Sequence, residues 1–259
     1  MTDIVTRAHT PVTPLKGRRA VITGGTTGIG RAVAVLLASE GARVFICGRD
    51  PRHLEDALAA IGEAARDGGG GEGISVDLAE ADATKRVFDE AERRMGGVDI
   101  AVLNAAVAAQ GLTDVSEDEL RYAIAADFTA YMLGAFEASR RIGANEHEGG
   151  DIVLTGSMSA HVLGPSSTVY AGIKAGIAGF AEALRKELGD KGIRVALVEP
   201  GKTKADFGGT PDQEQKDKVA REETLRAEDI AVGVHYLLTQ PRRTVVQQLT
   251  IVPRALGEE

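Results

Sequence analysis

With 259 residues, 43% hydrophobic and 26% charged, the chain has the size and balance of one large α/β domain. A net charge of −8 with no block of Lys or Arg argues against a nucleic-acid partner, and no apolar run reaches the roughly 18 residues that span a bilayer. Cys47, the lone cysteine, excludes an internal disulfide and fits a reducing cytoplasm, while the five histidines lack metal-ligand spacing, so no metal is expected.

Residues 1–14 lack the apolar centre of a secretory signal and read as a flexible tail ahead of a single domain over 15–259. RAVIT at 19–23 predicts the first strand, followed by a Gly-rich turn and a helix over about 29–39 that Gly41 ends. RVFIC at 43–47 is the second strand, and Asp50-Pro51 opens the next helix with an N-cap and a proline at its first position. DGGGGEG at 67–73 reads as a flexible loop leading into a third strand at 74–76. Further strands are expected at 99–103, 151–154, 193–198 and 248–252, with long helices over about 116–142 and 168–188. The polar, Gly-containing stretch 202–221 is a candidate lid. Short apolar strands alternating with helices predict a Rossmann-type doubly wound sheet of about seven parallel strands with helices on both faces.

The turn after the first strand reads Thr23-Gly24-Gly25-Thr26-Thr27-Gly28-Ile29-Gly30. Glycines let a backbone turn tightly and approach a pyrophosphate, and the following helix N-terminus offers unpaired N–H groups to it. Tyr170 and Lys174 form Tyr-x-x-x-Lys on one helix face, and Ser157 stands thirteen residues before Tyr170, just past the fifth strand. Together with Leu15-Lys16-Gly17 ahead of the first strand, these motifs resemble the short-chain dehydrogenase/reductase family over nearly the whole chain.

That resemblance implies an oxidoreductase moving a hydride between a nicotinamide dinucleotide and a small carbonyl or secondary alcohol. Tyr170 would act as general acid/base, Ser157 would bond the substrate oxygen, and Lys174 would hold the nicotinamide ribose and lower the Tyr170 pKa. The turn from Gly24 through Thr26, Thr27, Gly28 and Ile29 to Gly30 would cradle the pyrophosphate. Asp77 and Leu78 would face the adenine, Asn104 and Ala105 would flank the cofactor, and Pro200, Gly201 and Thr203 would lie beside the nicotinamide. Family members that take NAD usually carry an acid at the end of the second strand, where this chain has Gly48 followed by Arg49. Arg49 suits a 2′-phosphate, so NADP is the first choice and NAD the second. Asp50 is the rival ribose ligand, with an N-cap as its competing local role.

The family's asparagine in the long helix falls at Asp127. In the family that residue kinks the helix and holds a water that passes protons to the lysine. A carboxylate can hold the water and pair with Lys174, which would lower the Asp127 pKa; an exposed helix position is the alternative. Met158, His161, Val162 and Leu163 lie where the family lines its substrate pocket, with His161 a candidate substrate ligand beside Ser157 and Tyr170. Family practice implies a homo-oligomer, dimer or tetramer, with homotetramer the first expectation. A non-catalytic nicotinamide-binding regulator of the same fold is the alternative function, although such proteins commonly lack the Tyr or Lys retained here.

Overall fold

A computed structural model describes residues 12–109, 111–142, 149–164, 167–203, 217 and 219–255. The strands β1 (Arg19–Thr23), β2 (Arg43–Gly48), β3 (Gly70–Ser75), β4 (Ile100–Leu103), β5 (Gly150–Thr155), β6 (Ile193–Pro200) and β7 (Gln248–Ile251) form one sheet in the order β3-β2-β1-β4-β5-β6-β7. Every pairing is parallel. The order reverses between β1 and β4, and that reversal opens a crevice at the carboxyl ends of the strands.

Alternation of side chains divides the core into two layers. Ile22, Val44, Ile46, Ile100 and Val198 face the helices α1 (Gly28–Ser39), α2 (Pro51–Ala64) and α7 (Ala227–Thr239). Val21, Phe45, Leu103, Ile152 and Leu197 face α3 (Ala83–Met95), α5 (Ala130–Ile142) and α6 (Thr168–Leu188). With both faces covered, the central strands are continuous apolar runs, which is why they were readable from sequence.

Two expectations need correction. The glycine stretch is not a flexible loop: Gly70 to Gly73 pair with β2 as most of β3. A Cβ at Gly71 would lie 2.6 Å from Ile61 Cγ2, so the missing side chain lets α2 pack tightly on this strand. The helix expected over 116–142 is α4 (Glu117–Ala123), a π-helical turn (Ile124–Thr129) and α5 in succession. Asp127 lies inside the π turn, the kind of interruption that collects at functional sites.

Of the expected N-terminal tail, residues 1–11 lie outside the described residues, and Thr13 is held by bonds to the Thr239 and Gln240 carbonyls. Most of the candidate lid, 204–216 and 218, also lies outside them. Among the described residues no helix is long and apolar enough to cross a membrane.

Candidate active site

The turn between β1 and α1 forms one wall of a cleft of about 1200 Å³ at the carboxyl ends of the strands. A Cβ on Gly30 would come within 2.2 Å of the Gly24 carbonyl oxygen and 2.7 Å of Asn104 Nδ2, so only glycine lets the helix start this close to β1 and β4. Thr27 provides no side-chain cap, and the first turn of α1 carries no acid. Its N–H groups are thus left for an anionic ligand. Thr23 Oγ1 accepts from the backbone N–H groups of Asn104 and Ala105 at 2.9 and 3.2 Å, and Thr155 Oγ1 donates to Asn104 Oδ1 at 3.3 Å. These bonds lock the tips of β1, β4 and β5 together.

At the end of β2 a Cβ on Gly48 would sit 2.2 Å from Thr26 Oγ1. Any side chain at the position where an acid would select NAD would therefore have to displace the threonine of the glycine turn. Arg49, next along the chain, is exposed and lines the cleft. Asp50 Oδ1 accepts from the Arg52 N–H at 2.8 Å, so Asp50 caps α2, as its proline neighbour implied. Asp77 takes two bonds, from the Ala79 N–H at 3.0 Å and from the Tyr122 hydroxyl at 2.8 Å.

Ser157 and Tyr170 reach the same cleft from the end of β5 and the start of α6, with Lys174 one helical turn further on. Ser157 Oγ accepts from the Ser159 N–H at 3.1 Å. Lys174 is buried, donates to the Thr155 carbonyl at 3.1 Å, and lies 5.4 Å from the Tyr170 ring centre and 5.2 Å from that of Tyr131. Burial pulls its ammonium down to about 8, with the Asp127 charge resisting the fall. Burial also pushes the Tyr170 phenol above its ordinary value, the Ser157 hydroxyl opposes that rise, and the Asp127 charge adds to it. The downward shift expected for Tyr170 from its lysine is thus absent in the free protein, because desolvation of the phenolate dominates.

Asp127 is fully buried, which removes the exposed-helix alternative. Its Oδ1 accepts from the Val107 N–H at 2.7 Å, while Oδ2 is buried with no hydrogen-bond partner among the described residues. Burial pushes the carboxyl up to about 6, against the pull of Lys174 and the Val107 bond. This corrects the expected lowering: the lysine acts on Asp127 through space, and desolvation outweighs that attraction.

The cleft is lined by Gly24, Thr26, Thr27, Gly28, Ile29, Arg49, Asp77, Leu78, Asn104, Ala105, Ser157, Tyr170, Lys174, Pro200, Gly201 and Thr203. Gly30 and Asp127 stand behind that surface. Met158 and His161 do not line it. His161 Nε2 instead meets both oxygens of the buried Glu199 carboxylate, at 2.9 and 3.0 Å, and Glu199 also accepts from Gln248 Nε2 at 2.6 Å. Val162 and Leu163 are exposed. Sequence reasoning missed Tyr122, Tyr131 and Glu199. Glu199 carried a signal, a lone acid inside the apolar strand IRVALVEP, whereas Tyr122 had none in its local pattern.

A family model described as short chain dehydrogenase matches residues 18–216. An uncharacterised oxidoreductase of Staphylococcus aureus (strain MRSA252) is 29% identical over 93% of this chain and 100% of its own length. A versicolorin reductase of Emericella nidulans is 35% identical, over 74% of this chain and 72% of its own. A crystal structure of a short chain dehydrogenase from Burkholderia cenocepacia J2315 in complex with NADP matches with a TM-score of 0.82 at 30% identity, covering 93% of this chain and 98% of that one.

Proposed function

Because the chain belongs to the short-chain dehydrogenase/reductase family, an oxidoreductase family, we propose that it reduces a small-molecule carbonyl with NADPH, Tyr170 being the proton donor. The observation that carries this reading is the meeting of Ser157, Tyr170 and Lys174 in the cleft that begins at the glycine turn. The name of the versicolorin reductase relative favours the reducing direction. A regulator without catalysis has no observation of its own in its favour.

The cleft fits a dinucleotide in volume, and at Gly28, which lines it at the uncapped start of α1, a Cβ would meet no protein atom within 4 Å and would stand in the space left for the cofactor. Gly24 and Thr26 to Ile29 would hold the pyrophosphate, Asp77 and Leu78 the adenine end, and Lys174 the nicotinamide ribose. Asn104 and Ala105 would flank the cofactor, with Pro200, Gly201 and Thr203 at its nicotinamide end. Arg49 would take the 2′-phosphate, since the position where NAD selection needs an acid holds Gly48, packed against Thr26. When bound, the nicotinamide supplies the hydride.

The protein's part is to handle the charge that develops on the substrate oxygen. Tyr170 is protonated at neutral pH, as any tyrosine with a pKa near 10 would be, and burial raises that pKa further, so it is ready to give its proton to the forming alkoxide. Ser157 donates to the same oxygen and fixes its position against the phenol. Lys174 stabilises the phenolate left behind, and Asp127 keeps that ammonium charged from inside the π turn. His161, tied to Glu199, anchors the segment after Ser157 to β6, and the substrate contacts rest on Ser157 and Tyr170.

Titration with NADPH and NADH, read by reduced-nicotinamide fluorescence, tests the cofactor assignment. Tighter binding of NADPH that is lost in Arg49→Ala is expected. Equal affinities, or a preference for NADH, would contradict the NADP assignment while leaving the fold intact.

A further inference from the structure

Tyr122 has no part in the chemistry above, yet its hydroxyl stands between two charged residues of the cofactor cleft. It accepts from Arg49 Nη1 at 2.7 Å and donates to Asp77 Oδ2 at 2.8 Å. Arg49 follows β2 and Asp77 follows β3, whereas Tyr122 comes from α4. All three line the cleft. The guanidinium and the carboxylate are therefore separated by no more than two hydrogen-bond lengths, and a neutral group fills the gap.

We propose that Tyr122 determines cofactor specificity: its hydroxyl holds Arg49 toward the cleft and keeps it from closing onto Asp77, leaving the guanidinium for a ribose 2′-phosphate. This inference rests on the NADP reading above. A guanidinium paired with a carboxylate commits its planar fork to that partner, whereas one bonded to a phenol oxygen spends a single N–H of five. The direction of the chain of bonds is set by its ends. The carboxylate of Asp77 can only accept, so it takes the phenolic proton, and the phenol's free lone pair faces Arg49. Burial and the Asp77 bond both raise the Tyr122 pKa, which keeps that proton in place.

Both the backbone and the side chain of Arg49 are tied beside the cleft. Its backbone carbonyl is fixed by the Ser75 hydroxyl at 2.7 Å, and its guanidinium carbon lies 6.0 Å from the centre of the Tyr122 ring. Asp77 Oδ1 is already engaged by the Ala79 N–H, so Oδ2, the atom Tyr122 occupies, is the one a released Arg49 would meet first.

Tyr122→Phe keeps the ring and removes the hydroxyl. Dissociation constants for NADPH and NADH on the purified variant should show NADPH weakened about tenfold and NADH changed less than about twofold. The double variant Tyr122→Phe/Asp77→Asn, compared with Asp77→Asn alone, should recover most of the NADPH preference, because the competing carboxylate is gone. A residue that only supports the wall would weaken both cofactors together and would not be rescued. If the wild type prefers NADPH and Tyr122→Phe keeps the same ratio, the role of Tyr122 is wrong and the NADP reading stands. A lost ratio without rescue overturns the shielding of Arg49 from Asp77. A wild type with no preference for NADPH removes the premise and the inference with it.

Discussion

Asp127 and Lys174 are buried groups whose charged forms the protein keeps at a cost. The Asp127 carboxyl sits near 6 and the Lys174 ammonium near 8, so the carboxylate–ammonium form prevails between those values. If that form is the active one, kcat/KM should fall on the acid side near pH 6 and on the alkaline side near pH 8. Asp127→Asn should abolish the acid limb and move the alkaline limb downward, because Lys174 loses the charge that raises its pKa. An unchanged pH–rate profile would show that Asp127 does not act on the reaction. The same shifts bear on stability. A carboxyl raised on folding favours the native state at low pH, and that advantage is gone above about 6. An amine lowered on folding favours it at high pH, an advantage gone below about 8. The pair therefore stabilises the fold least where it is active. Asp127→Asn/Lys174→Met should raise stability at neutral pH by about 1–4 kcal/mol in denaturant titrations while abolishing turnover.

Among the elements, the turn after β1 and the end of β2 constrain each other through Thr26 and Gly48. Gly48→Asp, the substitution that would install an acid for NAD, should cost about 1–3 kcal/mol by overpacking against Thr26 and should not yield NADH preference by itself. Urea titration of the variant, with NADH titration beside it, checks both parts. The strands from β1 to β6 other than β3 were legible because parallel strands buried on both faces are short apolar runs between turn residues. β3 was legible only at its end, as the strand expected at 74–76, since GGEGIS carries one β-branched apolar residue and its glycines serve the close approach of α2. The π turn had no signal in the local pattern, since IAADFT holds no break residue and scans as ordinary helix; only the family resemblance implied a kink at Asp127. Ser157, Tyr170 and Lys174 could be read because their spacing is local, whereas the partnership of His161 with Glu199 spans 38 positions and appears only when β5 and β6 pair. Tyr122 meets Arg49 across 73 positions, beyond any local pattern.

At the scale of the whole molecule, the strand ends remote from the cleft hold a charge cluster centred on Asp151. Asp151, buried at the start of β5, faces Arg194 at 2.6 Å, Arg242 at 3.0 Å and Arg18 at 3.6 Å. Asp151→Ala would leave these guanidinium groups without their shared carboxylate and should cost about 3–5 kcal/mol in denaturant titrations, with the cofactor affinities of the folded fraction unchanged. On the flank of α5, Met132, Leu133 and Phe136 are 42%, 46% and 52% exposed. A contiguous apolar helix face of this kind suits contact with a second copy. Sedimentation should therefore report a homo-oligomer that Phe136→Asp shifts toward smaller species, and a monomeric wild type would contradict that assembly.

Turnover by Tyr170→Phe across a panel of small ketones and aldehydes with NADPH, measured alongside the variant's NADPH affinity, tests most directly whether Tyr170 is the proton donor. A loss of at least about 100-fold in kcat is expected, with NADPH affinity changed less than about twofold, because the proton donor goes while the cleft stays. Turnover equal to that of an active wild type would contradict it, and Tyr170 would not be the residue that protonates the substrate oxygen.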